Sequence, residues 1–244
     1  MKKEVTKFID KYLNKKVFIL SNEVLTCNIH DIINNAVDFE RPDGYAIIEN
    51  QCLIIEHFEF DPYIHKKKSS EFRKVESDNE RLQKKLFEKT NYIDETDYEY
   101  KMMKSSITVH ASKNDYIHNL ERCFKSHANK YKYYQDNIKS QINDLSADHM
   151  CFFIEDKTIF GSYYKESQTP FLITCTKEFI ELWEKYDFVD YIFIGLDGIS
   201  SKPCYCLERH SLINKKFLSI NEMDIIITDS AQVISSQIFV PIDK

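Results

Sequence analysis

The sequence predicts an α/β protein with a mixed central sheet, flanking helices and a long helical insertion. Three observations predict this class. Strand-length apolar runs occur in both halves of the chain, helix-periodic stripes separate them, and hydrophobic residues make up 43% of the 244 positions. Such a chain buries a substantial core. We therefore interpret residues 1–244 as a single α/β domain, with the helical insertion at about 69–145.

The amino-terminal elements follow from apolar spacing. Val5, Phe8 and Tyr12 share one helical face, which predicts an amphipathic helix over residues 2–15. Gly44 ends the Pro42-Asp43-Gly44 break, and Asn50-Gln51 is the predicted turn of the hairpin that follows it. The remaining predictions here are a strand at 17–20, a helix at 28–37 and hairpin strands at 44–49 and 52–60.

Helical and sheet patterns alternate in the rest of the chain. Apolar residues spaced by three and four predict two long helices at 70–89 and 113–143, a possible antiparallel pair. A helix at 177–186 between two strands gives a strand, helix, strand unit. The predicted strands are 150–154, 171–174, 191–194, 225–227 and 238–240.

Composition excludes several functional classes. Only 4 glycines are present, and neither GxGxxG nor GxxxxGK[ST] occurs, which argues against dinucleotide and P-loop chemistry. The 7 cysteines are scattered, and Cys204-Tyr-Cys206 is interpreted as two strand residues rather than half a zinc site. No signal peptide or membrane-length apolar run is seen. A cytoplasmic protein without a membrane partner is expected.

Charge is unevenly distributed. The formal net charge is −6, yet lysine and arginine outnumber the acids between residues 64 and 140. This asymmetry is compatible with a polyanion-binding face, although solvated helices produce it as readily. Lys130-Tyr-Lys-Tyr-Tyr134 interleaves cations with aromatic rings, a pattern that suits a nucleic-acid strand as well as a half-buried helix.

The hairpin is the principal functional candidate because its apolar strands carry acids. A two-residue turn at Asn50-Gln51 places Asp43 diagonal to Glu56, whereas a three-residue turn makes Glu59 the diagonal acid. In either register Asp43 lies near a second carboxylate, and two such side chains can converge on one divalent cation. The alternative is an edge hairpin whose acids and His57 are solvated.

Pro42-Asp43, followed after twelve residues by Glu56 at the end of an apolar strand, resembles the motif of the PD-(D/E)XK nuclease superfamily. The resemblance implies a restriction-endonuclease-like core of αβββαβ order. It implies that Asp43 and Glu56 bind Mg²⁺ or Mn²⁺ together with the carbonyl of His57, while His57 or Glu59 orients or activates water. The implied activity is metal-dependent hydrolysis of nucleic-acid phosphodiesters, with DNA favoured over RNA, in restriction, phage defence or repair.

Phe58 stands where this motif has its lysine. Lys66, Lys67 and Lys68 are nearby in sequence, and Glu155-Asp156-Lys157 has the missing acid and lysine spacing. Lys157 can complete the site only if its strand lies beside the hairpin.

Two other functional classes remain open. One is a catalytically degenerate nuclease fold that acts as a nonenzymatic binding or regulatory module, and the other is a partner-docking helical hairpin with surface acids. The oligomeric state, a dimer included, is left open by the sequence.

Overall fold

The computed structural model describes most of the central sheet and its helices. The described residues are 3–14, 17–20, 29–61, 65–66, 69–70, 77, 81, 100–103, 106–110, 113–142, 147–159, 162–164, 176–198, 201–209, 225–227, 230–234 and 238–241.

The helices confirm most of the sequence predictions. Helix α1 is capped by Asp38, which accepts a hydrogen bond from the Val5 amide at 3.0 Å, and it continues directly into a π-helical turn at Ile9–Leu13. The predicted helix at 113–143 is two consecutive helices with a turn at Asn129 and Lys130. The bounds are α1 Glu4–Phe8, α2 Ile29–Asn35, α3 Lys113–Ala128, α4 Tyr131–Gln141 and α5 Lys177–Trp183.

Fifteen strands are described. Seven form the central sheet: β1 Val17–Leu20, β2 Ala36–Asp38, β3 Gly44–Ile48, β4 Gln51–Phe60, β9 His149–Ile159, β11 Val189–Gly198 and β12 Cys204–Glu208. The others are β5 His65–Lys66, β6 Ser69–Ser70, β7 Tyr100–Met103, β8 Ser106–His110, β10 Ser162–Tyr164, β13 Ile225–Ile227, β14 Ser230–Ile234 and β15 Ile238–Pro241.

The central sheet is mixed, in the order β1-β12-β11-β9-β4-β3-β2. Strands β4, β9 and β11 are parallel neighbours, while β2, β3 and β4 form an antiparallel meander. Helices α3 and α4 connect β4 to β9, and α5 connects β9 to β11, as parallel neighbours require. The chain is therefore an α/β protein with a mixed sheet and flanking helices, as the sequence predicted.

Each face of the sheet buries its own core. Side chains on alternate positions of β4 point to opposite faces, so Ile54 and Ile55 enter different cores. Gly195 in β11 gives room to the Tyr12 ring, which would lie 2.6 Å from an added Cβ. The α3–α5 face includes Leu120, Phe124, Ile138, Phe152, Trp183 and Ile192, and the α1–α2 face includes Val5, Phe8, Tyr12, Ile32, Phe153 and Phe193.

The segment between β4 and β9 is more varied than the predicted helical insertion. It contains α3 and α4, but also β7 and β8, which pair with β15 and β14 from the end of the chain. The predicted strands at 225–227 and 238–240 therefore form small two-stranded sheets outside the central one. The predicted helix at 70–89 and the predicted strand at 171–174 lie outside the described residues, except for helical Ser77 and Arg81 and for Ser70, which ends β6.

Candidate functional site: an acid pair at the sheet edge

The β3–β4 turn is one residue earlier than predicted. Glu49 and Asn50 occupy the turn with φ values of 47° and 65°, and Ile48 pairs with Gln51. Two positive φ values are typical of a two-residue type I′ turn, which suits the twist of the flanking strands. Both predicted registers are therefore wrong. The ladder ends at Gly44 opposite Ile55, so the next position places Asp43 directly across from Glu56 rather than diagonal to it.

Asp43 and Glu56 do meet at this end of the hairpin. The Asp43 amide donates to Glu56 Oε2 at 3.4 Å, and the His57 amide donates to Asp43 Oδ2 at 2.9 Å. Asp43 is half-buried and Glu56 is only 4% exposed. Burial, the neighbouring Glu56 charge and Glu4 together raise the pKa of Asp43 to about 7, against the lowering by the hydrogen bond from the His57 amide. A negative charge on Asp43 is therefore poorly compensated by its surroundings.

The second oxygen of Glu56 is held by the long helices. His127 Nδ1 lies 2.7 Å from Glu56 Oε1, and the Tyr134 hydroxyl donates to the same oxygen at 2.5 Å. Burial and then the Glu56 charge raise the pKa of Tyr134, which remains a hydrogen-bond donor. The sequence connected neither residue with Glu56, although Tyr134 belongs to the segment that interleaves cations with aromatic rings. No local spacing joins them, because they lie on two helices separated by the turn at Asn129 and Lys130, and tertiary packing brings both to Glu56.

Phe58 shows why the motif's lysine position is apolar here. Its side chain is 4% exposed, and its ring stacks on His127 at a centroid distance of 4.7 Å and meets Phe152 edge-on at 5.3 Å. An ammonium group at this place would be buried among rings. The position belongs to the core that supports Glu56 through His127.

His57 and Glu59 point to the opposite face of the sheet from Glu56, as alternation along a strand requires. His57 Nε2 lies 3.1 Å from Glu155 Oε1, and the imidazole contacts Phe8 of α1. Glu59 pairs with Lys157 at 3.5 Å. The structure thus brings Asp43 and Glu56 together, but it does not place the side chains of His57 and Glu59 beside them.

An ionic network occupies that opposite face. Strand β9 lies beside β4, which is the position that Lys157 needed in order to complete the site. Lys157 instead points to this opposite face, where it contacts Glu155 at 2.9 Å and Asp197 at 3.1 Å. Lys11 also joins Glu155 and Asp197, at 2.7 and 2.9 Å, and Lys202 contacts Asp197 at 2.6 Å. Lys11, Asp197 and Lys202 carried no functional signal in the sequence, since they are distant from the hairpin.

The ionisation of this network is strongly biased towards the charged forms. Burial alone would raise the pKa of Glu155 and lower that of Lys157, but their hydrogen bonds outweigh it. The pKa of Glu155 is therefore lowered and that of Lys157 is raised, and the pKa of Asp197 is lowered for the same reason. Each carboxylate already has cationic partners, so this network has little unbalanced charge to offer a ligand.

The acid pair differs in this respect. In the described part of the chain, no lysine or arginine forms an ion pair with Asp43 or Glu56, and the basic side chain that contacts Glu56 is His127. Carboxylate oxygens are ligands that Mg²⁺ prefers, and Mg²⁺ is commonly held by one or two carboxylates while keeping several waters. The donor set therefore fits such an ion. Among the described residues, no group of three or more His, Cys, Asp or Glu side chains is arranged to hold a metal.

The fold and the position of the acids define the class of this protein. It is an α/β protein with a partly buried acid pair, Asp43 and Glu56, at the end of the β3–β4 hairpin. Comparison with protein-family models, curated proteins and solved structures yields no match to this chain. None of the helices in the described ranges has the length and apolar character needed to cross a membrane.

Proposed function

We propose that this protein is a metal-dependent nuclease that hydrolyses nucleic-acid phosphodiester bonds at the Asp43–Glu56 pair. The observation that carries the proposal is that Asp43 and Glu56 lie across the hairpin from each other, with the Asp43 amide donating to Glu56, the pKa of Asp43 raised to about 7, and no lysine or arginine ion pair to either acid in the described chain. Two acids in this state favour the binding of a cation.

The topology adds support. In chain order, helix α1 precedes the β2–β3–β4 meander, and helices α3 and α4 and parallel β9 come after it, with β1 and α2 inserted between α1 and β2 and strands β5 to β8 inserted between β4 and α3. With those insertions set aside, this order agrees with the αβββαβ order that the resemblance to PD-(D/E)XK nucleases implies. The acid pair lies where β4 turns polar, which is where that resemblance expects the site. A setting in restriction, phage defence or repair is part of the same proposal.

The residues of the pair have distinct tasks in this proposal. Asp43 and Glu56 hold Mg²⁺ or Mn²⁺, and the His57 carbonyl is the third protein ligand that the resemblance implies. When held there, such an ion would supply Lewis acidity at the scissile phosphate and would lower the pKa of a water molecule. His127 and Tyr134 fix the rotamer of Glu56, so that its Oε2 stays directed towards Asp43.

The test combines metal binding with cleavage. Calorimetric titration of the full chain with Mn²⁺ should show a site that Asp43→Asn and Glu56→Gln remove and that Asp10→Asn, a change of an exposed acid in the π-helical turn, retains. Linear, circular and single-stranded DNA and RNA are then incubated with Mn²⁺ or Mg²⁺. Cleavage that depends on both acids supports the proposal. Absence of both cleavage and acid-dependent metal binding refutes it.

A second candidate function is a nonenzymatic binding or regulatory module on the same fold. Phe58 favours it, because the position of the motif's lysine is a buried ring and the described Lys157 is engaged on the other face of the sheet. Without that cation, developing negative charge in a transition state lacks one of its usual stabilising groups. Metal-independent nucleic-acid binding without cleavage would favour this candidate.

A further inference from the structure

The loop that precedes Asp43 is held by helix α4. Asn137 Nδ2 donates to the carbonyl oxygens of Glu40, at 3.1 Å, and of Arg41. One helical turn earlier, Tyr133 lies near the Arg41 side chain and raises the pKa of its guanidinium group. Arg41 is exposed and has a left-handed φ of 64°. Helix α4 thus holds the backbone of Arg41, whose exposed guanidinium group lies two residues before the candidate metal ligand.

Tyr133 presents its ring to solvent at the same place. The side chain is 51% exposed, whereas Tyr134 beside it is buried and donates its hydroxyl to Glu56. The two rings are 5.9 Å apart between centroids. A single exposed aromatic residue is ordinary by itself. The informative feature here is the position of the exposed Tyr133 ring. It lies near the exposed Arg41 and next in sequence to Tyr134, which donates a hydrogen bond to Glu56 of the acid pair.

The surrounding helix surface is basic. Lys130 is exposed and lies one turn before Tyr133, so both are on the same side of the helical segment. Lys125 and Lys132 form i,i+4 pairs with acids, but Lys130 has no ion pair among the described residues. The exposed basic residues of α3, α4 and the turn between them are Arg122, Lys125, Lys130, Lys132 and Lys139. The positive charge of this helix surface complements a polyanion.

We propose that Arg41, Lys130 and Tyr133 form a binding surface for single-stranded nucleic acid. Tyr133 stacks on an unpaired base, and the two cations contact the adjacent phosphates. A convex helix surface reaches the face of a base only when that base is unstacked, which favours a single strand over a duplex. The inference rests on the proposed function in one respect, because it makes single-stranded nucleic acid the substrate of the Asp43–Glu56 pair.

The experiment measures binding without cleavage. Fluorescence anisotropy in EDTA compares a labelled DNA strand, the same sequence as RNA and the corresponding DNA duplex, all with the full chain. Tyr133→Ala should weaken single-strand binding about tenfold and change duplex binding less than twofold, whereas Tyr133→Phe should retain single-strand binding. Lys130→Ala should weaken binding, and it should reduce the slope of log affinity against log salt concentration by about one, the loss of one phosphate contact. Lys177→Ala, which removes an exposed lysine of α5, is the matched control and should bind normally.

Three results would overturn the inference: no binding of any strand, no preference for single strands, or single-strand affinity within twofold of wild type in Tyr133→Ala. Circular dichroism of each variant establishes that it is folded. The outcome is separable from the test of the proposed function. Tyr133-dependent binding with neither cleavage nor acid-dependent Mn²⁺ binding retains this surface and removes the nuclease, whereas acid-dependent cleavage with strand binding unaffected by Tyr133→Ala does the reverse.

Discussion

Asp43→Asn should stabilise the protein at pH 8 and much less at pH 5. The folded-state pKa of Asp43 is about 7, raised from 3.8 by burial and the Glu56 charge. An acid with a raised pKa binds more protons in the folded state than in the unfolded chain between these two values. Wild-type stability therefore falls as the pH rises from about 4 to about 7, and the loss is complete above that window. Asparagine does not ionise, so the variant escapes this loss.

The magnitude follows from the same values. The difference between 3.8 and about 7 corresponds to about 4 kcal/mol. Because the carboxyl is only partly removed from water, solvent screening reduces the expected gain to about 1–2 kcal/mol. Asparagine also keeps the main contact, since its Oδ1 can accept the His57 amide that now donates to Asp43 Oδ2 at 2.9 Å. For a chain of this length, the melting temperature should rise by about 2–8 °C at pH 8.

Urea unfolding of wild type and Asp43→Asn at pH 5, 6, 7 and 8, without divalent metal, checks this prediction. The gain in unfolding free energy at pH 5 should be less than half of the gain at pH 8. Asp10→Asn, which removes an exposed acid, controls for the change in net charge. An equal gain at every pH, or no gain at pH 8, would show that Asp43 is not under electrostatic strain.

Three further predictions concern the supporting structure. Phe58→Lys should lower the unfolding free energy by about 3–5 kcal/mol in urea without creating cleavage activity, because it buries an ammonium among rings; a stable and newly active variant would contradict this. Lys157→Met should cost about 2–4 kcal/mol at pH 7 and less near pH 3, because below the unfolded pKa of 4.5 the unfolded chain binds a proton at Glu155 that the folded protein, with its lowered Glu155 pKa, does not; a pH-independent loss would contradict the ionic explanation. Gly195→Ala should lower the melting temperature through collision with the Tyr12 ring, and an unchanged midpoint would show that the ring moves freely.

Local patterns in the sequence were sufficient for most of the helices, for five of the seven central strands and for the principal pair of acids, but they did not predict β2, β7, β8 or β12. The alternation and apolar length of β4 predicted its strand, and the three-and-four spacing predicted the helical segment containing α3 and α4. Asp43 and Glu56 are joined by a short hairpin, so any nearby register brings them close. The exact register was not predictable, because it depends on positive φ values at Glu49 and Asn50, and neither is a glycine.

The sequence by itself determined that the chain is an α/β protein with acids concentrated at the end of one hairpin. The tertiary structure decided which groups share a site. Glu56 meets His127, 71 residues away, and Lys11 meets Glu155, 144 residues away. Strand alternation sends Glu56 and His57 to opposite faces, and the order of β4, β9 and β11 decides which side chains each then meets. These contacts depend on packing between distant segments, so spacing along the chain does not encode them.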